Sequence, residues 1–431
     1  MTEFTKTKYT LQSLCCEEQF EDQNWELNCP NNDEPALIRA IYGNKQLVVN
    51  EELPGLYKFS SWLPVDKMLK GSGAPVTFKS EKLAQALGLN NLYITFNGYW
   101  PERGAMMQTG SFKECEAYSV CARPNKNSDS IMVVASAGNT ARAFAKVCSE
   151  NKLPVLICVP KDNLNALWFA QEIDPCVKLI AAESGGDYFD AIHLSNLACH
   201  IEGFYPEGGA KNVARRDGMG TTVLSAVTTI GKIPDYYFQA IGSGTGAIAA
   251  WEANLRFLGD GRYGTNKMKL MLSQNAPFLP IKEAWDAGSR QMLPINDQEA
   301  RNQVEEIIAK VLSNRKPPYS ITGGLFDAMT DAGGEIFAVT NQEATAASDL
   351  FRQTEENDLE PAAAVAVASL IQAVQIGSVE KDAVIMLNIT GGGIEKFKRE
   401  HKISYLEPAL VFPLNPDPHS VFEKIKKLFN D

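Results

Sequence analysis

Short apolar runs alternate with helix-like stretches from about residue 90 onward. Most of these runs are apolar at every position, which is typical of strands that are buried on both faces of a parallel sheet. The pattern predicts strands at Tyr93–Phe96, Ile131–Ser136, Val155–Val159, Val177–Ala181, Tyr236–Ile241, Lys269–Leu272, Ile336–Val339 and Ala383–Ile389. An α/β fold follows, in which helices cover parallel sheets.

The predicted helices are Thr140–Asn151, Met219–Ile230, Ala247–Leu258, Gln303–Leu312, Asn341–Gln353 and Pro361–Ile376. Two of them carry start signals. Thr340 with Glu343 three residues later makes a capping box, and Pro361 stands at a first helical position. The uncharged run from residue 361 to residue 379 is rich in Ala and contains Gln372. It predicts a buried helix rather than a membrane span.

Composition and charge narrow the function classes. The chain of 431 residues is long enough for two or three domains, and its 45% hydrophobic and 22% charged residues are ordinary for a globular protein. Lys and Arg number 41 against 52 Asp and Glu, so the net charge is −11. This balance argues against a nucleic-acid partner, which would need clustered positive charge.

The N-terminal segment and the cysteines bear on location and metal binding. No secretory signal is visible, so we expect a cytoplasmic protein without a membrane partner. The nine cysteines include no C-x-x-C pair, which predicts neither a disulfide framework nor a metal site. Cys15, Cys16 and Cys29 are expected to be ordinary thiols, and the alternative is that they are ligands left from a reduced metal module.

Two unusual turns follow the early strands, and in a doubly wound sheet ligands bind where strands end. The segment Thr109–Lys113 presents a Lys at the start of a helix, where the helix dipole favours the neutral, nucleophilic amine. The segment Ser136–Thr140 follows a strand and opens a helix, so its backbone N–H groups can hold a carboxylate and Asn139 can bind a phenolic oxygen. A surface Lys and a simple helix cap are the alternatives.

Two later turns complete the set. A strand-to-helix loop with three glycines and two hydroxyl side chains suits a phosphate group. Its residues are Gly242, Ser243, Gly244, Thr245 and Gly246. The spacing differs from the dinucleotide fingerprint and from the nucleotide P-loop. Thr390 precedes three glycines after the last strong strand, where a hydroxyl can meet a ring nitrogen that needs a neutral partner.

Asn212 and Arg215 lie three residues apart, within reach of each other on one helical turn. The paired donors of Arg suit a phosphate ester. A surface ion pair of Arg215 is the alternative interpretation.

Taken in order, these motifs resemble those of the threonine synthase family of pyridoxal-phosphate enzymes. The resemblance covers about residues 90 to 400, and five ordered motifs are far more specific than any one of them. It implies fold type II, the tryptophan synthase β-like fold, with two doubly wound α/β domains of unequal size. The larger would comprise residues 1–118 and 211–431, and the smaller residues 119–210.

The resemblance also implies roles for individual residues. Lys113 would form the Schiff base with pyridoxal 5'-phosphate and then remove the α-proton of the substrate. Asn139 would contact the ring hydroxyl, residues 242–246 the phosphate, and Thr390 the pyridine nitrogen. The substrate-binding residues would be Ser111, Ser136, Ala137, Thr140, Asn212 and Arg215.

Departures from the family pattern indicate a different nucleophile. Gly392 replaces a usual His, and Arg103 and Arg142 are cations at unusual positions. Within the family, the chain most resembles enzymes of methanogenic archaea that replace the phosphate of O-phosphoserine with sulfite on the way to coenzyme M. An anionic nucleophile needs a cationic pocket, so Arg142, Arg103 or both are predicted to hold sulfite near the β-carbon. The alternative is that Arg142 points to solvent and Arg103 belongs to a mobile surface loop.

Alternatives remain open at this point. One is a threonine synthase acting on O-phosphohomoserine, and another is an inactive, cofactor-binding regulatory protein. The expected partners are small-molecule substrates. The sequence leaves the oligomeric state open, including a homo-oligomer.

Overall fold

The computed structural model describes residues 4–23, 25–125, 130–136 and 138–430. The strands are β1 (Tyr9–Ser13), β2 (Gln19–Phe20), β3 (Ile38–Tyr42), β4 (Val76–Lys79), β5 (Asn91–Phe96), β6 (Tyr99–Trp100), β7 (Ala105–Met106), β8 (Ile131–Ala135), β9 (Val155–Pro160), β10 (Trp168–Phe169), β11 (Val177–Ala182), β12 (Phe204–Pro206), β13 (Tyr236–Ala240), β14 (Lys269–Asn275), β15 (Gly334–Val339), β16 (Val384–Ile389), β17 (Ser404–Tyr405) and β18 (Leu410–Phe412).

The α-helices are α1 (Lys82–Leu87), α2 (Lys113–Cys121), α3 (Asn139–Asn151), α4 (Tyr188–Ala198), α5 (Val213–Ile230), α6 (Thr245–Asp260), α7 (Pro280–Asp286), α8 (Asp297–Glu306), α9 (Leu325–Ala332), α10 (Asn341–Glu355), α11 (Pro361–Gln375), α12 (Ile394–Glu400) and α13 (Pro418–Asn430). Short 3₁₀ helices lie at Gly55–Trp62, Pro101–Arg103, Lys161–Ala166, Gly209–Lys211 and Lys310–Leu312.

Two parallel sheets form the body of the molecule. The larger has the order β15-β14-β13-β16-β5-β4, in which only β4 is antiparallel, and the smaller has the order β12-β8-β9-β11-β18. Each sheet separates two apolar cores because successive side chains point to opposite faces. Tyr237 and Phe238, for example, enter different cores.

Each sheet has a point where the strand order changes direction. In the larger sheet β14 and β15 extend to one side of β13, whereas β16 lies on its other side. In the smaller sheet β9 and β11 extend to one side of β8, and β12 lies on the other. Ligands bind at such switch points, beyond the carboxyl ends of the strands.

The predicted strands are all present, with ends that differ by a few residues. The capping box of Thr340 and Glu343 and the helix that opens at Pro361 are confirmed. The core side of that helix is buried. Among the described residues, no helix combines the length and the apolar character that crossing a membrane requires.

The helix predicted at Gln303–Leu312 is wrong in its position. The observed helix is α8, which starts at the Asn296 cap and ends at Glu306. Beyond it, the backbone N–H groups of Ile308 and Ala309 donate to the side chains of Asn341 and Asn275, each at 3.1 Å. These side chains replace the bonds that would continue the helix.

The domain division stays a prediction, but the pairing of the C-terminal segment differs from it. β18 pairs with β11 in the smaller sheet rather than lying with the larger one. α13 packs against α4, and its Val421 and Ile425 are buried in the same core as Phe412. The smaller sheet gains an edge strand and a covering helix from the end of the chain.

A buried charge cluster ties the N-terminal three-stranded sheet, β2-β1-β3, to the helices of the larger sheet. Glu252 on α6 pairs with Arg216 on α5 at 2.9 Å and with Arg39 on β3 at 3.0 Å. The side chain of Arg216 is completely buried. Its charge is therefore balanced inside the protein.

Substituting Glu252→Gln removes the shared anion and leaves a buried guanidinium uncompensated. We expect the free energy of unfolding to fall by about 3–5 kcal/mol. Urea denaturation of the two proteins measures this change. The matched control is Glu395→Gln, which breaks an exposed pair with Arg352 and should cost less than about 1 kcal/mol. Equal losses in the two variants would contradict the prediction.

Candidate active site

One cleft collects residues from both sheets at their switch points. It has a volume of about 80 Å³. Lys113 enters it from α2, Ser136 and Asn139 from the end of β8, and Ser243 from the loop after β13. Its other lining residues are Ala135, Gly138, Thr140, Tyr188, Arg215, Val311, Ser313 and Asn314.

Lys113 is the first residue of α2, and backbone pairing fixes the turn before it. The N–H of Phe112 donates to the carbonyl of Thr390 at 2.9 Å, and the N–H of Gly392 donates to the carbonyl of Gly110 at 3.0 Å. Gly110 has a φ of +67°, which L side chains rarely adopt. The backbone that directly follows β16 therefore positions the Lys113 turn, and the Thr390 carbonyl contacts that turn.

The amine of Lys113 lies in a partly dehydrated, charged environment. Its Nζ donates to Oε2 of Glu116 at 3.1 Å. Burial lowers the pKa of Lys113, Glu116 opposes this shift, and the positive charge of Arg215 adds to it. A lowered pKa increases the neutral fraction of the amine, which is the form that attacks a carbonyl group.

Asn139 opens α3 and is held on both sides of its amide. Nδ2 donates to Oε1 of Glu360 at 2.5 Å, and Oδ1 accepts from Nη2 of Arg142 at 2.8 Å. The Oγ of Ser136 accepts from the N–H groups of Gly138 and Ala141, and so it caps the same helix. Ala137, a predicted substrate contact, lies outside the described residues.

The glycines after β13 allow other parts of the chain to come close. A Cβ on Gly244, whose φ is +78°, would lie 2.6 Å from Cδ2 of Leu325, and one on Gly242 would lie 2.9 Å from Cα of Leu312. The loop leads into α6, and the first N–H groups of a helix lack partners within it. Ser243 and Thr245 contact each other through their hydroxyls at 2.9 Å. The segment has the form of an anion cradle.

Arg215 lines the cleft, whereas Asn212 does not have a free side chain. Arg215 makes two hydrogen bonds to Glu207, at 2.8 and 2.6 Å, and lies 3.4 Å from Glu116. The Oδ1 of Asn212 accepts from the N–H of Ala214, and the Asn212 amide donates to the carbonyl of Glu207. Asn212 caps α5, and its predicted contact with the substrate phosphate stays a prediction.

Arg142 is buried, and its guanidinium is committed to the protein. It donates to the carbonyls of Thr109 and Ala166, at 2.9 and 2.7 Å, as well as to Asn139. Its guanidinium carbon lies 4.3 Å from the centre of the Trp168 ring. The structure thus places the Arg142 guanidinium where it holds the Asn139 amide, and the predicted contact of Arg142 with sulfite stays a prediction.

Arg103 is not part of this cleft. It lies over the rings of Phe78 and Trp100 and 3.8 Å from Glu355, and it lines a separate cleft. The loop that carries Arg103 pairs with itself through β6 and β7. That Arg103 holds the nucleophile stays a prediction, although Arg103 and Lys113 line different clefts.

Sequence reasoning missed three carboxylates. Glu116 accepts from Lys113 and from the hydroxyl of Thr140 at 3.0 Å, Glu207 binds Arg215, and Glu360 binds Asn139. The i, i+3 spacing from Lys113 would have shown that Glu116 shares its helix face. Burial raises the pKa of Glu360, and the charge of Arg142 opposes that rise.

The residues present fit pyridoxal 5'-phosphate. A partly buried amine of lowered pKa suits its aldehyde, and the cradle after β13 suits its phosphate. The buried Oγ of Ser111, next to the Lys113 turn, has no hydrogen-bond partner within the described residues. A buried hydroxyl of this kind is satisfied when a ligand supplies the partner.

The comparisons with known proteins agree with this fit. Residues 73–391 match the family model described as pyridoxal-phosphate dependent enzyme. The chain belongs to the family of pyridoxal-phosphate-dependent enzymes, and its cofactor is pyridoxal 5'-phosphate.

Within this family, its curated relatives include the cysteate synthases of methanogens. That of Methanosarcina mazei is 48% identical over 93% of this chain and 96% of its own length. The cysteate synthase of Methanosarcina acetivorans is 46% identical over 95% of this chain and 98% of its own length. That of Methanocella paludicola is 49% identical over 93% of each chain.

Solved structures show the fold. Maize serine racemase has a TM-score of 0.56 at 13% identity, covering 83% of this chain and 92% of that one. The L-serine ammonia-lyase of Rhizomucor miehei has a TM-score of 0.56 at 15% identity, covering 76% of this chain and all of that one. The predicted fold type II is confirmed.

Lys113 is the expected attachment point of the cofactor. The variant Lys113→Ala should lose the visible absorbance of the attached cofactor and all turnover, because no other Lys lines the cleft among the described residues. Borohydride reduction followed by peptide mapping of the wild type should mark Lys113. The exposed Lys161 gives a control, since Lys161→Ala should keep the absorbance. A reducible linkage in Lys113→Ala would refute the assignment.

Arg142→Gln tests the positioning role of that residue. Loss of charged hydrogen bonds to the buried carbonyl of Thr109 and the partly buried carbonyl of Ala166 should lower the free energy of unfolding by about 2–4 kcal/mol and weaken cofactor binding. Urea denaturation and titration with the cofactor measure the two effects. Arg352→Gln, at an exposed site, is the matched control. An unaltered stability with a raised KM for sulfite would instead favour the predicted contact of Arg142 with sulfite.

Proposed function

We propose that this enzyme replaces the phosphate of O-phospho-L-serine with sulfite, giving L-cysteate and inorganic phosphate. The carbon–oxygen bond at the β-carbon breaks and a carbon–sulfur bond forms at the same atom. The observation that carries the proposal is the name cysteate synthase on relatives that are 46–49% identical over 93–95% of the chain. The joint placement of the partly buried Lys113 and of Arg215 in one cleft supports it.

The reaction needs a base at the α-carbon. When bound, the cofactor withdraws electrons from the α-carbon and thus acidifies its proton. Lys113 takes that proton at Nζ, since burial favours its neutral form. Glu116, 3.1 Å away, orients the amine and balances the charge that Lys113 gains.

The reaction also needs a cation at the β-carbon. Among the described residues that line the cleft, Arg215 is the one arginine. In this proposal Arg215 binds first the leaving phosphate and then the incoming sulfite. Both are oxyanions, and both react at the β-carbon. In the structure its charge is shared by Glu207 and Glu116, so an incoming anion competes with these carboxylates for the guanidinium.

The carboxylate of the substrate needs neutral donors. The turn at the start of α3 offers backbone N–H groups, while the Ser136 hydroxyl is used in capping the helix. Ser111 offers a hydroxyl that has no hydrogen-bond partner in the part of the chain that the structure describes. Thr140 holds Glu116, so its role is to orient the carboxylate beside Lys113.

A cytoplasmic location and assembly into a homo-oligomer belong to the same proposal. Size-exclusion chromatography with light scattering measures the second.

The reaction is tested by incubating the purified holoenzyme with phosphoserine or phosphohomoserine, each with and without sulfite. We expect cysteate and phosphate in equal amounts from phosphoserine with sulfite, identified by mass spectrometry and phosphate assay. Threonine from phosphohomoserine, without any use of sulfite, would replace the proposal by a threonine synthase. Phosphate release from neither substrate would reject both.

Arg215→Lys tests the anion contact, because Lys keeps the charge and loses the paired donors. The kcat/KM for phosphoserine should fall about tenfold to hundredfold, corresponding to about 1.5–3 kcal/mol, while the cofactor absorbance stays. Arg399→Lys, on the exposed side of α12, is the control and should leave kcat/KM unchanged. Unchanged kinetics in Arg215→Lys would exclude the role.

A further inference from the structure

The loops of the N-terminal three-stranded sheet bring together two thiols and a carboxylate. Cys16 and Glu18 lie in the turn between β1 and β2, and Cys29 lies in the loop between β2 and β3. One ligand atom from each lies within 4.8 Å of the other two, and the two Sγ atoms are 3.7 Å apart. This cluster is far from the cleft in sequence and takes no part in the reaction proposed above.

The spacing of the sulfurs suits two ligands of one metal ion. Zinc binds cysteine sulfur at about 2.3 Å, and at a tetrahedral angle this places two sulfurs about 3.8 Å apart. A disulfide would need about 2.0 Å. The distance alone does not decide, because the buried pair Cys121 and Cys148 also lies at 3.7 Å.

The carboxylate and the access to solvent distinguish this cluster from that pair. Among the described residues, only the cluster of Cys16, Glu18 and Cys29 places three metal-binding groups together. The Nδ2 of Asn31 donates to Oε1 of Glu18 at 2.5 Å, which orients the carboxylate as the supporting groups of metal sites do. Cys16 is exposed, so an ion and a water molecule can reach it.

We propose that Cys16, Cys29 and Glu18 bind a divalent ion that prefers sulfur ligands, of the zinc type, with water in the fourth position. Cys15 is not a ligand, because its Sγ contacts the hydroxyl of Ser13 at 3.1 Å and lies outside the cluster. The earlier alternative of three cysteine ligands is thereby changed to two cysteines and a glutamate.

The site has a structural consequence for the cleft. Asp22, in the loop that the ion would close, makes two hydrogen bonds of 2.7 Å to the buried Arg123. Arg123 in turn donates to Asn212, the cap of the helix that carries Arg215. An ion that fixes both ends of the Asp22 loop would therefore stabilise the base of the anion site.

Cobalt titration of the metal-depleted holoenzyme tests the proposal. We expect one Co²⁺ per chain, with an absorption band from thiolate-to-cobalt charge transfer that Zn²⁺ abolishes. Cys16→Ser and Cys29→Ser should each lose the band, and Glu18→Gln should weaken Co²⁺ binding at least tenfold. Zn²⁺ should raise the Tm of the wild type but not of Cys16→Ser.

The neighbouring Cys15→Ser is the matched control and should keep both the band and the affinity. Cofactor absorbance shows that each variant is folded. Loss of the band in Cys15→Ser, or its retention in Cys16→Ser, would overturn the ligand set. Thiol titration of the denatured protein without reductant should count nine thiols after chelation. A count lower by two would identify a disulfide and overturn the proposal.

Discussion

Buried charges that must be paired govern the architecture of the cleft. Taking an ion out of water costs several kcal/mol unless an opposite charge and hydrogen bonds replace the solvent. Lys113 and Arg215 meet this condition through Glu116 and Glu207. Arg142 meets it differently, because it donates to two backbone carbonyls and to the Oδ1 of Asn139. The Nδ2 of the same Asn139 amide donates to Glu360. The positions of these side chains therefore depend on one another.

This interdependence affects how the enzyme handles anions. An oxyanion that reaches Arg215 does not meet an unpaired cation, because Glu207 already binds one edge of the guanidinium through Nε and Nη2. The anion gains only the difference between its own bonds and those it displaces. In the reaction proposed above, such an exchange would favour ligands with several acceptor oxygens, as phosphate esters and sulfite have.

The N-terminal segment supports the cleft from outside. Asp22 holds Arg123, and Arg123 holds Asn212 at the start of α5. Arg216, on the next turn of that helix, connects through Glu252 to β3. The N-terminal segment thus fixes α5 at two points, so the direction of Arg215 depends on residues far from it in sequence.

The sequence alone determined the features that local physics controls: the apolar strands, the capping box at Thr340, and the turn that presents Lys113 at a helix start. Parallel strands fix where these turns end, so their meeting at one edge could also be predicted. Only the tertiary structure decided the partners of the arginines, the separate location of Arg103, and the addition of β18 to the smaller sheet. Charge pairing and edge pairing join residues that are distant in the chain, and no local pattern records which carboxylate or strand will be adjacent.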